Sequence, residues 1–437
     1  MMERYDKYKN SGIEWIGEIP EEWEVKRFKY LFGLITDKAE EELPKIGLEN
    51  VESETGALIE TNSDFDGDGI HFISGDILFG KLRPYLAKVY LSNFQGKAVG
   101  DFFIFRSRGE IYAGFGSKLI LSKRFIDIVN GSTFGSKMPR ASWAFIANLQ
   151  IAYPTIEEQT AIANYLDRKT VEIDTLIAQK ERLIALYEEE KAAIINQAVT
   201  KGIDSAVGVP LVGTLEQGNH KGLPLRDSGI DWLGEIPAGW KVKKLKYLSL
   251  ILRGKFAHRP RNDERLYGGI YPFIQTGEVT NANKFIKGYR QTLNEAGYAV
   301  SQEFPSGTLV MTIAANIGDV AILSFDACFP DSIVGFYPKN EVIVDFLYYK
   351  LISIRSNLIG CATQNTQQNL NIDRISPIEI SFPNNKTVQT AIVHHIETET
   401  TRIDAKIAKT QRIIELQKEY RTALISEVVT GKIKVPS

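Results

Sequence analysis

The sequence predicts an α+β fold with two pseudo-symmetric units, each a mixed globular region followed by a long helix. Two observations support this prediction. The 21-residue segment at residues 11–31 recurs at residues 228–248 with 14 identical positions. Each half also ends in a long stretch with the apolar spacing of an amphipathic helix. A chain of 437 residues has room for two such units.

Each half opens with the same motif, SGIEWIGEIPEEWEV at residues 11–25 and SGIDWLGEIPAGWKV at residues 228–242. A repeat with only two copies indicates a pseudo-twofold protein, because a solenoid needs about three or more repeats. The segment at residues 203–227 is rich in Gly and Pro and is predicted to be a linker. The predicted parts are an N-terminal opening motif at 1–20, a first globular region at 21–152, a central long helix at 153–202, the linker with the repeated motif at 203–239, a second globular region at 240–382, and a distal long helix with its tail at 383–437.

The first long helix is predicted over residues 155–202, about 65–70 Å at 1.5 Å per residue. Thr155 and Glu158 fit a capping box, and Gly202 suits the left-handed residue after a helix. The motif Gln-Thr-Ala-Ile recurs at the start of the second helix, predicted over residues 385–430 and ending at Gly431. The predicted apolar seams are Ile162, Leu166, Ile173, Leu176, Leu183, Tyr187 and Ile194 in the first helix, and Ile396, Ile403, Ile413, Leu416, Tyr420 and Leu424 in the second.

Charge is sorted into blocks within the globular regions. Residues 37–76 carry a net charge of −10, and residues 81–140 carry +8. In the second half, residues 241–290 carry +9. Positive blocks of this kind suit a nucleic-acid backbone, and the alternative is an ordinary solvated face of lysines and arginines. Two such blocks in duplicated regions favour nucleic acid.

Several function classes lack their motifs. There is no G-x-x-x-x-G-K-[ST] loop, so nucleotide hydrolysis is not expected. The Asn/Asp-Pro-Pro-Tyr/Phe sequence of adenine methyltransferases is also absent, and no Cys/His cluster suits a metal. With two cysteines and no run of about 18 apolar residues, we expect a cytoplasmic protein without a disulfide framework or a membrane span. We predict no catalytic, metal-binding or cofactor-binding residue in this chain.

The order of these parts resembles the DNA specificity subunit of type I restriction-modification enzymes. The resemblance is carried by the two opening motifs, by the Tyr153-Pro154 and Phe382-Pro383 segments that end the globular regions, and by the Gln-x-x-Ile sequence in each long helix. It covers nearly the whole chain. The divergence of the two globular regions also fits that family, in which these regions recognise different DNA sequences.

The resemblance implies that each globular region is a target recognition domain and that the long helices form an intramolecular antiparallel coiled coil. The double-stranded DNA target would be bipartite, with one domain for each half-site and the helices as a spacer. Two modification subunits would bind S-adenosylmethionine and methylate adenine, and restriction subunits would use ATP and Mg²⁺ as motors. This chain would recognise DNA and scaffold the complex without catalysing a reaction.

The candidate DNA-contacting residues lie in basic and amide-rich loops. The segment 81–85 follows a predicted strand and turn, and residues 131–140 form a loop rich in Gly and Ser. Residues 360–369 occupy the corresponding position in the second half and carry amides that suit adenine edges. The candidates are Lys81, Arg83, Tyr85, Lys137 and Arg140 in the first region, and Arg253, Lys255, Arg259, Arg261, Gln364, Asn365 and Gln367 in the second. For each of them, the alternative is an ordinary exposed loop residue.

Two other functions remain open from the residues alone. One is a duplicated coiled-coil adaptor without DNA sequence specificity. The other is a nuclease or methyltransferase with an unrecognised site, in which case the purified chain would cut or modify DNA. Selective binding to a bipartite duplex would separate the specificity subunit from the adaptor.

Overall fold

The computed structural model describes residues 3–39, 43–61, 67–133, 137–203, 224–258, 260, 262–360 and 370–436. The chain divides into two compact units, one formed by residues 1–182 with 410–437 and the other by residues 183–409. Each unit therefore contains one globular region and part of both long helices. In the part of the chain that the structure describes, no helix is both long and apolar enough to cross a membrane.

The first unit is built from short strands and short helices. Its strands are β1 (Tyr8–Asn10), β2 (Glu18–Pro20), β3 (Glu24–Arg27), β4 (Phe32–Ile35), β5 (Lys45–Ile46), β6 (Ile70–Phe72), β7 (Ile77–Gly80), β8 (Val89–Leu91), β9 (Gly96–Ala98), β10 (Phe102–Ser107) and β11 (Gln150–Tyr153). Its short helices are α1 (Phe28–Leu31), α2 (Ala113–Leu121), α3 (Lys123–Gly131) and α4 (Trp143–Ile146). The sequences FISGDILFGKLRPYLAKVYL and AVGDFFIFRS are typical of strands and turns, and they contain β7 and β8 in the first case and β10 in the second.

The main sheet of the first unit has the antiparallel strand order β4-β10-β7-β8. Alternate residues of its central strands enter different parts of the core. Leu78 and Ile104 join one apolar cluster, whereas Phe79 stacks on Phe105 at a ring distance of 6.1 Å. Because both faces are covered, β7 is buried along its whole length, and a strand buried on both faces has a continuous apolar run rather than an alternating pattern.

The second unit begins after residue 182 and ends at residue 409. Its strands are β12 (Leu225–Asp227), β13 (Glu235–Pro237), β14 (Trp240–Lys244), β15 (Ser249–Arg253), β16 (Tyr267–Phe273), β17 (Phe285–Ile286), β18 (Gln291–Leu293), β19 (Glu303–Phe304), β20 (Leu309–Thr312), β21 (Val320–Leu323), β22 (Ala327–Cys328), β23 (Ile333–Pro338) and β24 (Glu379–Pro383). Its short helices are α6 (Leu245–Leu248), α7 (Thr276–Thr280), α8 (Glu295–Ala299), α9 (Val344–Ser353), α10 (Arg355–Gly360) and α11 (Ile372–Ile375).

The main sheets of the two units share one topology. The second unit has the order β15-β23-β20-β21-β17, so its first four strands correspond to β4, β10, β7 and β8, and β17 adds a parallel edge strand. The accessory sheets differ. The first unit has a small sheet of order β5-β9-β6, whereas the second has β18-β16-β22-β19. The prediction of one α+β fold with divergent surroundings is therefore confirmed at the level of the sheets.

The opening motif forms the same hairpin in both halves. The strands β1 and β2 pair in the first unit, and β12 and β13 pair in the second. The Ser11 amide donates to the Gly17 carbonyl at 3.1 Å, and Ser228 makes the equivalent bond to Gly234 at 3.0 Å. The end of the predicted linker is therefore structured, because residues 225–227 form β12. Residues 204–223 of that linker lie outside the described residues.

The long helices are α5 (Ile156–Lys201) and α12 (Lys386–Val429). The Thr155 hydroxyl accepts the Glu158 backbone N–H at 3.4 Å, as a helix cap requires. Gly202 and Gly431 have φ angles of +80° and +71°, which glycine adopts at little cost after the end of a helix. The predicted helices and the glycines that follow them are therefore confirmed. Of the predicted capping box, the structure shows the Thr155 half, whereas the Glu158 carboxylate accepts the Tyr5 hydroxyl at 2.5 Å.

The predicted seams of these helices are partly wrong. In α5, the predicted residues Leu176 and Ile194 are only partly buried, whereas their neighbours Ile177 and Ile195 are buried. In α12, Leu416 is 46% exposed and Tyr420 is 41% exposed, whereas Ile414 is buried. An α-helix has 3.6 residues per turn, so a regular spacing of 7 residues drifts around its surface over this length. The globular regions also cover parts of both helices, which a pattern along one helix does not show.

One ion pair between the long helices occurs in both units. In the first unit, the buried Arg421 contacts Asp174 with an Nε to Oδ1 distance of 2.9 Å. In the second unit, Lys191 contacts Asp404 with an Nζ to Oδ1 distance of 2.6 Å. Each member of the second pair lies 230 positions from its counterpart in the first. The sequence duplication therefore extends to the contacts between the helices.

The helix segments of the second unit run in opposite directions. Lys406 lies over the ring of Tyr187 at 5.2 Å, and Lys191 pairs with Asp404. Residue numbers therefore rise along α5 as they fall along α12. Further along, Ile195 of α5 is part of the same apolar core as Ile396, Ile392 and Val393 of α12.

Candidate nucleic-acid interface

In the first unit, two of the predicted DNA-contacting segments lie side by side. The Arg83 amide donates to the Pro139 carbonyl at 2.8 Å, and the Ala141 amide donates to the Lys81 carbonyl at 2.8 Å. These bonds form a short antiparallel bridge that joins the loop after β7 to the end of the loop at residues 131–140. The fold thus brings together the segments 81–85 and 137–140, which are far apart in the sequence.

The exposed side chains of this bridge are basic and aromatic. Arg83, Tyr85 and Lys137 are exposed, with half of the Tyr85 surface accessible. Neither the Arg83 guanidinium nor the Lys137 ammonium forms an ion pair with another residue that the structure describes. These two groups can therefore meet a phosphate without first breaking a salt bridge.

Lys81 and Arg140 share one acidic partner. The Asp101 carboxylate lies 3.6 Å from the Lys81 ammonium and 2.9 Å from the Arg140 guanidinium. The hydrogen bond from Arg140 to Asp101 raises the pKa of that guanidinium. Asp101 neutralises part of the positive charge and holds both side chains over the bridge. Lys81 and Arg140 are therefore positioned before any ligand arrives.

The backbone at Arg83 is left-handed, with φ +51° and ψ +62°. For a residue with a side chain, this conformation costs about 1–2 kcal/mol. Pro84 follows it and starts a short 3₁₀ turn at Pro84–Leu86. The bonds across the bridge hold the loop in this shape, so Arg83 and Tyr85 occupy defined positions at the surface.

Much of the remaining positive block has a structural role. Arg106 makes two hydrogen bonds, of 2.6 and 2.7 Å, to the fully buried carboxylate of Asp76, and these bonds raise the pKa of the Arg106 guanidinium. Other pairs in the same range are Lys118 with Asp167 at 2.6 Å and Arg124 with Glu427 at 2.6 Å. The charge count of residues 81–140 therefore overstates the charge available to a ligand.

The described candidates of the second unit lie at and just beyond the end of β15. Arg253 is exposed, and its Nε donates to the Asp331 carbonyl at 2.6 Å. Lys255 is also exposed, and its carbonyl accepts the Ser301 hydroxyl at 2.8 Å. The other candidates, Arg259, Arg261, Gln364, Asn365 and Gln367, lie outside the described residues.

The structural counterpart of the segment 81–85 was not among the predicted residues. The loop at residues 313–319 connects β20 to β21, as the loop at 81–88 connects β7 to β8. The Leu370 amide donates to the Ile313 carbonyl at 2.9 Å, as Ala141 does to Lys81. The sequence did contain a signal for this correspondence. The Ser306-Gly307 pair lies 232 positions after Ser74-Gly75, and Ile313 lies the same distance of 232 positions after Lys81. Arg253 and Lys255 instead correspond to the chain after β4.

A buried glutamine fastens α5 to the globular region of the first unit. Gln159 has no exposed surface. Its Nε2 donates to the carbonyls of Glu110 at 3.0 Å and Pro154 at 2.8 Å, and its Oε1 accepts the Tyr112 amide at 2.8 Å. The side chain thereby ties the first turns of the long helix to the chain between β10 and α2.

The second unit repeats this network around Gln389, which is also fully buried. Its Nε2 donates to the carbonyls of Glu341 and Pro383, each at 2.8 Å, and its Oε1 accepts the Ile343 amide at 2.8 Å. Each partner has its counterpart in the first unit. Equivalent glutamine networks thus attach each globular region to the first turns of the long helix that follows it.

Comparison with known proteins shows which protein family this chain resembles. Residues 237–417 match the family model described as type I restriction modification DNA specificity domain. The chain is also 24% identical over 454 positions to the putative type I restriction enzyme MjaX specificity subunit of Methanocaldococcus jannaschii, with 96% of each chain covered. Residues 237–417 belong to the type I restriction-modification DNA specificity domain family, and the chain is similar to specificity subunits along nearly its whole length.

Another member of the specificity family, the MjaVIII specificity subunit of the same organism, is 22% identical over 455 positions and covers 95% of this chain and 94% of its own. The range matched by the family model begins in the second opening motif and ends within α12. The first half has the same hairpin and the same order of main-sheet strands.

Solved structures show that the specificity-family fold extends over nearly the whole chain. A chain from a structure of a type I R-M system assembly has a TM-score of 0.67 at 15% identity, covering 94% of this chain and 98% of that one. The HsdS subunit from Thermoanaerobacter tengcongensis has a TM-score of 0.54 at 15% identity, with 95% and 98% covered. At these identities, the similarity establishes the fold.

Proposed function

We propose that this chain is the DNA-recognition and scaffolding subunit of a cytoplasmic type I restriction-modification complex. It recognises a bipartite double-stranded target, with one unit bound to each half-site. Partner subunits carry out adenine methylation and restriction, and this chain catalyses neither reaction. The modification subunits hold S-adenosylmethionine, and the restriction subunits use ATP and Mg²⁺.

The observation that carries this proposal is the bridge between residues 81–85 and 139–141 in the first unit. Arg83 and Lys137 are exposed and have no ion-pair partner among the described residues, and Tyr85 is exposed beside them. Arginine and lysine contacts to phosphates set the register of a protein on DNA, while neighbouring side chains distinguish base edges. The corresponding bridge recurs in the second unit at Ile313 and Leu370.

The long helices act in this proposal as an antiparallel coiled coil that sets the number of unspecified bases between the half-sites. The support is the duplicated ion pair between the helices, and the opposite directions of the helix segments in the second unit. A helix of 46 residues is about 69 Å long at 1.5 Å per residue. Residues on the polar faces of the helices remain available for the modification and restriction subunits.

Genome-wide mapping of methylated adenines tests the proposal. Cells that carry the gene should methylate one bipartite motif, and this motif should disappear when the gene is removed and return when it is restored. The purified chain alone should neither cut nor methylate the same DNA. If no bipartite motif depends on the gene, recognition by this chain is refuted and the duplicated coiled-coil adaptor becomes the better interpretation.

The spacer role has its own test. Whole helical turns are inserted or deleted in α5 between Ile173 and Ile194, with a matched change in α12. The preferred number of unspecified bases should change while both half-sites stay the same. If the altered helices keep the original spacing, the helices do not set it, even where the rest of the proposal holds.

A further inference from the structure

The loop at residues 313–319 in the second unit repeats an unusual conformation of the first unit. Ala315 is left-handed with φ +62°, and its counterpart, 232 positions earlier, is Arg83 with φ +51°. Both residues lie in the connection that follows a central strand of the main sheet, β20 in one unit and β7 in the other. A strained conformation of a residue other than glycine persists where the surrounding structure enforces it, and such positions are concentrated at binding sites.

Side-chain contacts hold the 313–319 loop in this shape. The Arg355 guanidinium contacts the Asp319 carboxylate at 2.6 Å and donates to the Ile317 carbonyl at 3.2 Å. The Thr280 hydroxyl donates to the other oxygen of Asp319 at 2.6 Å and accepts the Asn316 side-chain amide at 3.1 Å. The loop is therefore a preformed surface whose tip, at residues 315 and 316, remains exposed.

The same loop forms one wall of a cavity in the second unit. The cavity has a volume of about 740 Å³, and Ala314 and Ala315 line it. Two exposed glutamines, Gln275 and Gln291, line it as well, and Gln275 Nε2 donates to Gln291 Oε1. The lining also includes the aromatic side chains of Phe256, Tyr267 and Phe273 and polar residues at Asn262, Glu264, Thr276 and Ser332. A volume of this size is typical of sites that take a small organic group.

The hydrogen bond between the glutamines leaves a defined pattern for a ligand. Since Gln275 donates to Gln291, the Oε1 of Gln275 remains an acceptor and the Nε2 of Gln291 remains a donor. Adenine offers the complementary pair in the major groove, a donor at N6 and an acceptor at N7. The thymine of the same base pair offers a methyl group, which alanine side chains contact favourably. The Ala314 and Ala315 methyl groups supply such a surface.

We infer that the Gln275–Gln291 pair, together with the Ala314–Ala315 wall, recognises an A·T base pair in the half-site bound by the second unit. This inference rests on the proposed function and adds to it the identity of one base pair and the residues that select it. It places the base contacts of the second unit on the accessory sheet and the 313–319 loop. The accessory sheets are among the parts in which the two units differ most, as residues that select different sequences require.

The test compares methylated-adenine maps from cells carrying the full-length wild-type chain or one of four variants. Gln275→Ala and Gln291→Ala should raise methylation of sites with a different base pair at one A·T position of one half-site by about tenfold or more relative to the intact motif. Gln275→Glu should shift that position towards C·G, because a carboxylate accepts from cytosine N4. Asn340→Ala, an exposed amide elsewhere in the same unit, serves as the matched control and should reproduce the wild-type map.

The possible failures are distinguishable. A wild-type map without a gene-dependent bipartite motif refutes the proposed function and this inference together. A bipartite wild-type motif that both alanine variants keep in full at every position refutes the inference alone. A uniform loss of methylation in variants with native circular dichroism also refutes it, because that result indicates lost affinity without lost base selection. Relaxation at one A·T position with the other half-site intact supports it.

Discussion

Replacing Gln159 by methionine tests how the long helix is attached to the first unit. Methionine has nearly the same length and volume as glutamine but forms no comparable hydrogen bonds. The substitution removes two donated bonds, to Glu110 and Pro154, and one accepted from the Tyr112 amide. The helix itself is not expected to lose stability, because methionine is as good a helix former as glutamine.

The expected cost follows from these three bonds. Each neutral hydrogen bond contributes about 0.5–1.5 kcal/mol, and a buried polar group left without a partner costs about 1–3 kcal/mol. The bond to the Pro154 carbonyl is buried, whereas those to Glu110 and Tyr112 are partly accessible to water. We therefore expect a local destabilisation of about 3–5 kcal/mol, which is two to four orders of magnitude in an opening equilibrium.

Native-state hydrogen exchange with peptide-level mass spectrometry measures this effect, because a chain with two units need not unfold in one step. In the Gln159→Met variant, peptides covering residues 108–120 should lose protection while peptides covering 340–352 keep it. The Gln389→Met variant should show the reverse, because its network is the duplicate of the first. The control is Gln179→Met, an exposed glutamine on the same helix. If Gln159→Met and Gln179→Met exchange alike, the buried amide does not fasten the helix and the reasoning fails.

Three further predictions follow from charged groups. Burial lowers the pKa of the Lys350 ammonium to about 7, from its ordinary value of 10.5. Between these two pH values, the unfolded chain holds a proton at Lys350 that the folded chain lacks, so the free energy of unfolding rises with pH. Lys350→Met should flatten that rise, which denaturant titrations at pH 7.5 to 9.5 measure against the wild type, and an unchanged slope would contradict the shift. A double-mutant cycle with Arg421→Met and Asp174→Asn should give a coupling free energy of about 1–2 kcal/mol. This value is lower than that of a fully buried pair because the Asp174 side chain is 43% exposed. If the two substitutions lower the free energy of unfolding additively, the two side chains are not coupled. In mobility-shift assays, the double variant Lys81→Ala, Arg83→Ala should bind target duplex more weakly and with a shallower salt dependence. The control is the double variant Lys7→Ala, Lys9→Ala, which changes the net charge by the same amount. If the two double variants bind alike, Lys81 and Arg83 do not belong to the site.

The sequence alone was sufficient for features that depend on neighbouring residues. The ends of α5 and α12 were predictable because a threonine cap and a left-handed glycine act within one helical turn. The duplication was visible because the opening motif and the Gln-Thr-Ala-Ile segment kept their spacing. The strands β7 and β10 were recognisable from apolar runs bounded by turn residues.

The candidate site was predictable only in part. The segments 81–85 and 137–140 were both predicted to contact DNA, and the structure places them side by side. No local pattern indicated that Asp101 would pair with both Lys81 and Arg140, or that Arg106 would be taken up by the buried Asp76. Counting charges along the chain gives the sign of a block, but the partners of each charge come from distant residues.

What the sequence determined about this protein is its plan: two copies of one unit, each with a long helix whose limits are encoded by local rules. The tertiary structure decided which residues meet. It shifted the buried positions to Ile177 and Ile195 in α5 and to Ile414 in α12, because the helix period drifts and the globular regions cover other faces. It also placed Gln275 and Gln291 in one cavity with Ala315, although the three residues come from separate segments of the chain. Burial and hydrogen bonding between distant segments are properties of the packed chain, and they define the surface that we propose recognises DNA.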